Sequence, residues 1–378
     1  MTVEKPINKF YPISYFIGII VTTLGIVQFL PAVVSLFYAE WRIMEIFLLT
    51  ASLTVLVGVS MTFLGFRYRN QKLSFGEGTV VASGAWLIGT LLCALPYYFS
   101  ENCLSYLDSC FDVMSGLTTT GLCLIQNMDH LSNGINMWRA ILTFVGGQGM
   151  VVLALTFLTK GQSSAYKMYV GEGKDEKLFP NAVSTSKRIW LISLLYLAIG
   201  TVVTSATAFQ AGLAPDRAFL HGMWIFMSAW STGGFGPMSQ NVLYYHSAPL
   251  EFVTMIFFII GSLNFALHNA VLSGKHDELR RDIEVITFTI TLSFLTLITT
   301  FGLMKNNVYP NAMVMFRKGF YQLVSAHTTT GFMTVYAKQF YHEWGDIALF
   351  AMVIAMLLGG CACSTAGGFK AMRIGIIF

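Results

Sequence analysis

Of the 378 residues, 55% are hydrophobic and 11% are charged, whereas an ordinary soluble domain carries about 25% charged residues. The net charge of +4 comes from 23 Lys and Arg against 19 Asp and Glu. It follows the alternation of loops described below and does not imply nucleic acid.

The apolar residues come in long blocks with few charges: 13–36, 43–66, 78–98, 135–158, 189–209, 252–272, 283–304 and 347–360. A helix crosses a bilayer with about 20 apolar residues, so most of these blocks are long enough to span. The first block is too long for a cleavable leader and has no small-residue cleavage site, so it is expected to be a retained helix. Lys5 and Lys9 precede it, and Arg67, Arg69 and Lys72 follow the second block. The 160–188 loop carries Lys160, Lys167, Lys174, Lys177, Lys187 and Arg188, and the 275–282 loop has Lys275, Arg280 and Arg281. The 99–133 loop has no Lys or Arg, only acids. The positive-inside rule therefore puts the N-terminus in the cytoplasm. Lys305, Arg317, Lys318 and Lys338 run against this, because they fall on the predicted outer side.

Three segments align without gaps: Val113-Met-Ser-Gly-Leu-Thr-Thr-Thr-Gly-Leu122, Phe226-Met-Ser-Ala-Trp-Ser-Thr-Gly-Gly-Phe235 and Leu323-Val-Ser-Ala-His-Thr-Thr-Thr-Gly-Phe332. Each has an aromatic residue (Phe111, Trp224 or Tyr321) ten positions before its final Gly. An internal repeat of this kind marks a repeated structural unit. Here the predicted unit is a spanning helix, a short half-helix, a polar Thr/Gly stretch and a second helix. The fold class is therefore all-α membrane protein, with helix–pore-loop–helix units after a two-helix N-terminal pair. The division is 1–72 for that pair, 73–160 for the first repeat, 161–274 for a cytoplasmic loop and second repeat, and 275–378 for the third.

Non-helical backbone at membrane depth persists only where it is buried in protein or lines a cavity. Each Thr/Gly stretch is thus a re-entrant loop. Glycine at 121, 234 and 331 lets successive carbonyls turn towards one axis, and carbonyl rings replace the hydration shell of a cation such as potassium. The preceding half-helix aims its negative end at the same place. The candidate ion-binding residues are Thr118, Thr119, Thr120 and Gly121; Ser231, Thr232, Gly233 and Gly234; and Thr328, Thr329, Thr330 and Gly331. Their hydroxyls serve as ligands or brace the loop from behind. A plain helix C-cap is the simpler account of one copy, but explains three poorly.

Gly146-Gly147, Gly261 and Gly359-Gly360 follow the three loops at similar distances, and tight helix packing accounts for the first two. The third opens Gly359-Gly-Cys-Ala-Cys-Ser-Thr-Ala-Gly-Gly-Phe-Lys370, which should break the helix mid-membrane. Only one spanning block fits between Gly331 and this stretch, so it is not a fourth filter. It is expected to be a gate beneath the third filter, formed by Gly359, Gly360, Ser364, Thr365, Gly367 and Gly368, with Lys370 and Arg373 as barrier charges or interfacial anchors. Arg139 is expected to snorkel outward or brace a loop, His327 to pack, and Asp112 to attract cations or bond nearby backbone. Of the six cysteines, Cys103 and Cys110 are candidates for a disulfide.

These motifs resemble the Trk/Ktr/HKT superfamily of potassium transporters, of the TrkH type. The resemblance rests on the three loops, on Trp138-Arg139 with Gly146-Gly-Gln-Gly-Met-Val-Val-Leu153, on Gly261-Ser-Leu-Asn-Phe-Ala-Leu-His268, on the 359–370 stretch and on the leading pair. It implies potassium uptake through the cytoplasmic membrane, with K+ as the transported ion at the filter residues and no organic cofactor in this chain. It also implies a homodimer and a cytosolic regulatory subunit of TrkA type that binds NAD(H) or ATP. Gly at every filter position goes with potassium in this family, and Ser in the first repeat with sodium. The family has four repeats and three are present here, so the sequence is expected to be a fragment or to need a separate fourth unit. The alternatives are a non-conducting or partial subunit, a sodium-permeable or sodium-coupled member, or a secondary transporter of another fold. An intramembrane hydrolase would need a nucleophile–base pair, and neither G-x-S-x-G nor H-E-x-x-H is present, so no enzyme is expected.

Overall fold

The computed structural model describes residues 10–71, 73–149, 152 and 182–377. Every regular element among them is helical. Five helices are long and apolar enough to cross a membrane: Phe10–Phe37, Trp41–Tyr68, Phe75–Phe99, Ser184–Gln210 and Ile283–Lys305. Each has large apolar side chains that point outward, as with Phe63 (80% exposed), Leu297 (71%) and Val202 (69%). Such faces suit lipid tails, which are as apolar as the side chains themselves.

The first two spans form the leading pair, and small residues hold it together. A Cβ on Gly58 would collide with the Thr22 backbone, and one on Gly18 with the Gly58 carbonyl and Thr62. Close backbone approach replaces the hydrophobic drive that lipid cannot supply. Three units follow, each with a half-helix too short to span: Tyr106–Leu117, Pro215–Trp230 and Ala312–His327. At 1.5 Å per residue even 16 residues cover only about 24 Å of a core about 30 Å thick. Their starts follow local chemistry. Ser105 Oγ accepts the Asp108 amide, Pro215 stands in the first turn, and Asn311 Oδ1 accepts the Met313 amide.

The second helices of units 1 and 2 are not the single unbroken helices expected from their apolar blocks. In unit 1 the helix Asn133–Gln148 ends at Gly149, whose φ is +87°. The remainder of that block, Val152 excepted, lies outside the described residues, as does most of the basic 160–188 loop. In unit 2 the block 252–272 is not one helix. Ala248–Gly261 and Phe265–Leu272 meet at 103°. Asn264 caps the second piece, with Oδ1 accepting the Ala266 amide, and backbone groups freed by the break bond to residues 361–363, as described below. In unit 3, Ala337–Glu343 and Gly345–Leu358 meet at 118°.

The main core runs from the leading pair through units 1 and 2, and reaches unit 3 through Tyr321, Val324 and Phe332. Trp138 donates to the Cys93 carbonyl at 3.1 Å and takes Phe47 edge-on, and Trp230 stacks on Tyr196. A second core cluster lies within unit 3 around Trp344 and Leu303.

Candidate ion pathway

The C-terminal ends of the three half-helices share one local geometry. In unit 1 the Thr119 amide donates to the Gly116 carbonyl and the Thr120 amide to Ser115. Thr232 and Gly233 repeat this on Ala229 and Ser228, and Thr329 and Thr330 on Ala326 and Ser325. These are helix C-caps, and a left-handed residue is part of the motif. Glycine normally fills that place. Here it is Thr119 (φ +54°), Thr232 (+49°) and Thr329 (+57°). A β-branched residue in that region is a steric outlier. Two residues on, Gly121 (+79°), Gly234 (+75°) and Gly331 (+82°) are left-handed again. The backbone thus turns left-handed at every second residue, so each stretch is both a C-cap and a loop of re-aimed carbonyls.

The stretches lie against one another in chain order. A Cβ on Gly121 would come within 2.5 Å of the Gly233 carbonyl, and one on Gly234 would overlap the Thr330 carbonyl. Gly331 has nothing within 4 Å of that position. Residues 231–238 are wholly buried, whereas Thr118, Thr120 and Gly331 are exposed. The three stretches therefore form an arc with an open flank between the first and the third. Above it lies a cavity of about 330 Å³ lined by residues that include Gly121, Gly234, Gly331, Gln126, Asn241 and Met333.

The hydroxyls mostly brace. Thr118 and Thr328 donate back to the carbonyls of Met114 and Val324 and pair with Thr120 and Thr330 at 2.8 Å. Unit 2 has Gly233 where the others have Thr. A Cβ there would overlap Thr143 Oγ1, and that oxygen pairs with Ser231 Oγ at 3.2 Å. The hydroxyl missing from the loop is thus supplied by the second helix of unit 1. Those second helices come close because Gly146 and Gly261 sit directly on the carbonyls of Leu117 and Trp230, in agreement with the packing role expected for them.

The stretch 359–370 is non-helical and passes beneath the second and third loops. It leaves the helix at Gly359 (φ +71°), with Gly368 and Lys370 also left-handed. Thr365 Oγ1 donates to the Gly261 carbonyl at 2.9 Å and lies 3.1 Å from that of Trp230. Thr232 Oγ1 donates to Thr365, and the Gly367 amide to Thr329 Oγ1. Cys361 and Phe265 exchange backbone bonds with Ser262 and Cys363, which satisfies the break in unit 2. Gly360 packs on Ser262, and Ser364 Oγ donates to the Cys361 carbonyl. The Lys370 ammonium bonds the Ala366 carbonyl inside the stretch. Arg373 lies on the exposed side of the following helix.

Other expectations fared unevenly. Arg139 does not snorkel. It is 2% exposed, donates to the Gly236 carbonyl and lies over the Phe235 ring, so it ties unit 1 to the loop of unit 2. Asp112 bonds backbone, with Oδ1 accepting the Leu124 amide. His327 packs on Phe288 and pairs with Thr291. Cys103 and Cys110 are free thiols. Arg317 and Lys318, the basic residues that ran against the orientation rule, both reach buried Glu251. Glu251 and Glu284 were missed, although an acid beside or within an apolar block is itself a signal. Glu284 Oε1 accepts the Ala362 amide of the 359–370 stretch at 2.6 Å.

Comparison with known proteins agrees with this architecture. The TrkH family model, described as cation transport protein, matches residues 44–378. The Trk system potassium uptake protein TrkH of Salmonella typhimurium is 31% identical over 375 residues, covering 98% of this chain and 75% of that protein. An uncharacterized cation transporter of Methanocaldococcus jannaschii is 30% identical over 372 residues, covering 97% of this chain and 71% of its own. The crystal structure of the potassium transporter TrkH from Vibrio parahaemolyticus superimposes with a TM-score of 0.81 at 26% identity, over 97% of this chain and 74% of that one. The chain thus spans about three quarters of the length of each.

Proposed function

Because the chain belongs to the TrkH family of cation transport proteins, we propose that it serves potassium uptake across the cytoplasmic membrane. The proposed filter is made of backbone carbonyls at 118–121, 231–234 and 328–331, and the 359–370 stretch is its gate. The observation that carries this reading is the left-handed Thr two residues before a left-handed Gly, three times over, at half-helix ends that meet. One such turn is a cap. Three packed side by side in chain order aim carbonyls and negative helix ends at a common axis, which favours a cation. Flux assays test it: Gly121→Ser and Gly331→Ser are expected to lower the potassium-to-sodium ratio, and unchanged ratios in folded protein would sink the assignment.

The open flank between Thr118, Thr120 and Gly331 has the place where one more helix–loop–helix unit would close the ring. The units proposed are 1–72, 73–160, 161–274 and 275–378. The N-terminus is cytoplasmic. A homodimer and a cytosolic nucleotide-binding subunit of the Trk system are the partners proposed. Size-exclusion chromatography with light scattering, and pull-down from the native membrane, test these two.

A further inference from the structure

Nine residues before the glycine of each loop stand Asp112, Ile225 and Gln322, and three residues after it stand Leu124, Pro237 and Thr334. In unit 1 the Asp112 Oδ1 accepts the Leu124 amide at 2.9 Å. In unit 3 the Gln322 Oε1 accepts the Thr334 amide, also at 2.9 Å. The two contacts are the same bond made by different residue types. In unit 2 the later position is proline, which has no amide hydrogen to donate, and the facing residue is Ile225, buried and apolar. An acceptor at 225 would be buried opposite no donor. The acceptor is therefore present where a donor faces it and absent where none does, which marks the contact as a built feature of the loop.

We propose that Asp112 and Gln322 are positioning residues that set the potassium preference of their loops, with Asn241 as their counterpart in unit 2. Asn241 Nδ2 donates to the Gly234 carbonyl at 2.9 Å and its Oδ1 accepts the Val242 amide. The Thr334 carbonyl in unit 3 also accepts from the Lys318 ammonium at 2.8 Å, so both backbone groups of that residue are held. The reason such braces matter is strain. Left-handed Thr119 and Thr329 persist only where surrounding contacts over-determine them. A loop freed on its return side lets its carbonyls close on a smaller ion, and discrimination by cavity size and ligand field falls. This inference rests on the filter assignment above.

The test compares potassium and sodium uptake in cells lacking other potassium uptake, with folded yield measured by size exclusion. Asp112→Leu and Gln322→Leu are expected to lower the potassium-to-sodium ratio about tenfold, the equivalent of one ordinary hydrogen bond. Asp112→Asn and Gln322→Glu keep an acceptor oxygen and are expected to keep the ratio, while Ile225→Leu leaves it unchanged. A ratio lost equally in Asp112→Asn would show that charge acts rather than the acceptor, and would overturn the proposal. So would folded Leu variants with the native ratio, or two Leu variants that never fold while their conservative partners transport normally. Gly331→Ser in the same assay separates the two claims. If it too leaves the ratio unchanged, the filter assignment fails; if it alone changes the ratio, only the brace fails.

Discussion

At the scale of single residues, Thr119, Thr232 and Thr329 carry the strongest signal in the molecule. Each holds a left-handed backbone that costs an L-residue about 1–2 kcal/mol. Replacing Thr119 by Gly removes that strain and adds about 0.5–1 kcal/mol of chain entropy to be lost on folding. The first effect exceeds the second, so Thr119→Gly is expected to keep or slightly raise the melting temperature while lowering the potassium-to-sodium ratio. A clear drop in melting temperature would mean the turn is not strained. In the loops that follow the first two half-helices, Asp129 accepts both the amide and hydroxyl of Ser239 at 2.7 Å, and these bonds hold its carboxyl below the usual 3.8. A depressed folded-state value means the stabilisation is present above the unfolded value and is lost as pH falls through the folded one. Protection of the Ser239 amide from hydrogen exchange is therefore expected at pH 5–7, fading only below about pH 4, and absent in Asp129→Ala.

At the scale of elements, the joint between units 2 and 3 is electrostatic. Glu251 is buried at the start of one helix, and Arg317 and Lys318 of the third half-helix both bond to it at 2.8 Å. Removing one member of a buried pair costs about 3–5 kcal/mol because its partner is left uncompensated. Glu251→Gln strands Lys318, so a fall near the lower end of that range is expected in detergent unfolding. Arg317 is 42% exposed, and Arg317→Ala should cost about 1 kcal/mol or less. Equal losses for the two would contradict this division. Packing fixes the joint between half-helix and second helix within unit 2. A Val at 261 has no room against the Trp230 carbonyl, and overpacking of this kind costs about 1–3 kcal/mol or more. Gly261→Val is expected to reduce folded yield, as measured by fluorescence-detected size exclusion.

At the scale of the whole molecule, the 359–370 stretch joins pieces that are far apart in the chain. It closes the helix break of unit 2, caps Glu284 and bonds the strained Thr of two loops. A segment built of Gly and small residues can hold these bonds in one state and release them in another. Deleting Cys361–Gly367 is expected to raise potassium flux, and Thr365→Val to do so more mildly, because it removes the bond to the Gly261 carbonyl. Unchanged or lower flux with intact folding would make the stretch a structural plug and not a gate.

Most of this was legible in the chain. Block length and charge bias followed from the bilayer's demand for apolar helices. The repeat followed from three aligned Thr/Gly segments, because a loop that turns left-handed twice in four residues admits few sequences. The 359–370 stretch showed itself as glycine within an apolar block. What the tertiary structure decided was partnership. The break at 262–264 carries local signals in Gly261 and the N-cap Asn264, but it is residues 361–363 that satisfy its backbone. Arg139 was open to snorkelling or to bracing a loop, and the fold chose the brace, on Gly236 and Phe235 of another unit. Thr143 replaces a hydroxyl missing ninety positions away, and Arg317 and Lys318 point at an acid that local sequence does not bring near them. The bilayer acts on each segment by itself and leaves its mark in local sequence. Hydrogen bonds and close packing between distant segments depend on which carbonyl lies beside which donor, and only the folded arrangement supplies that.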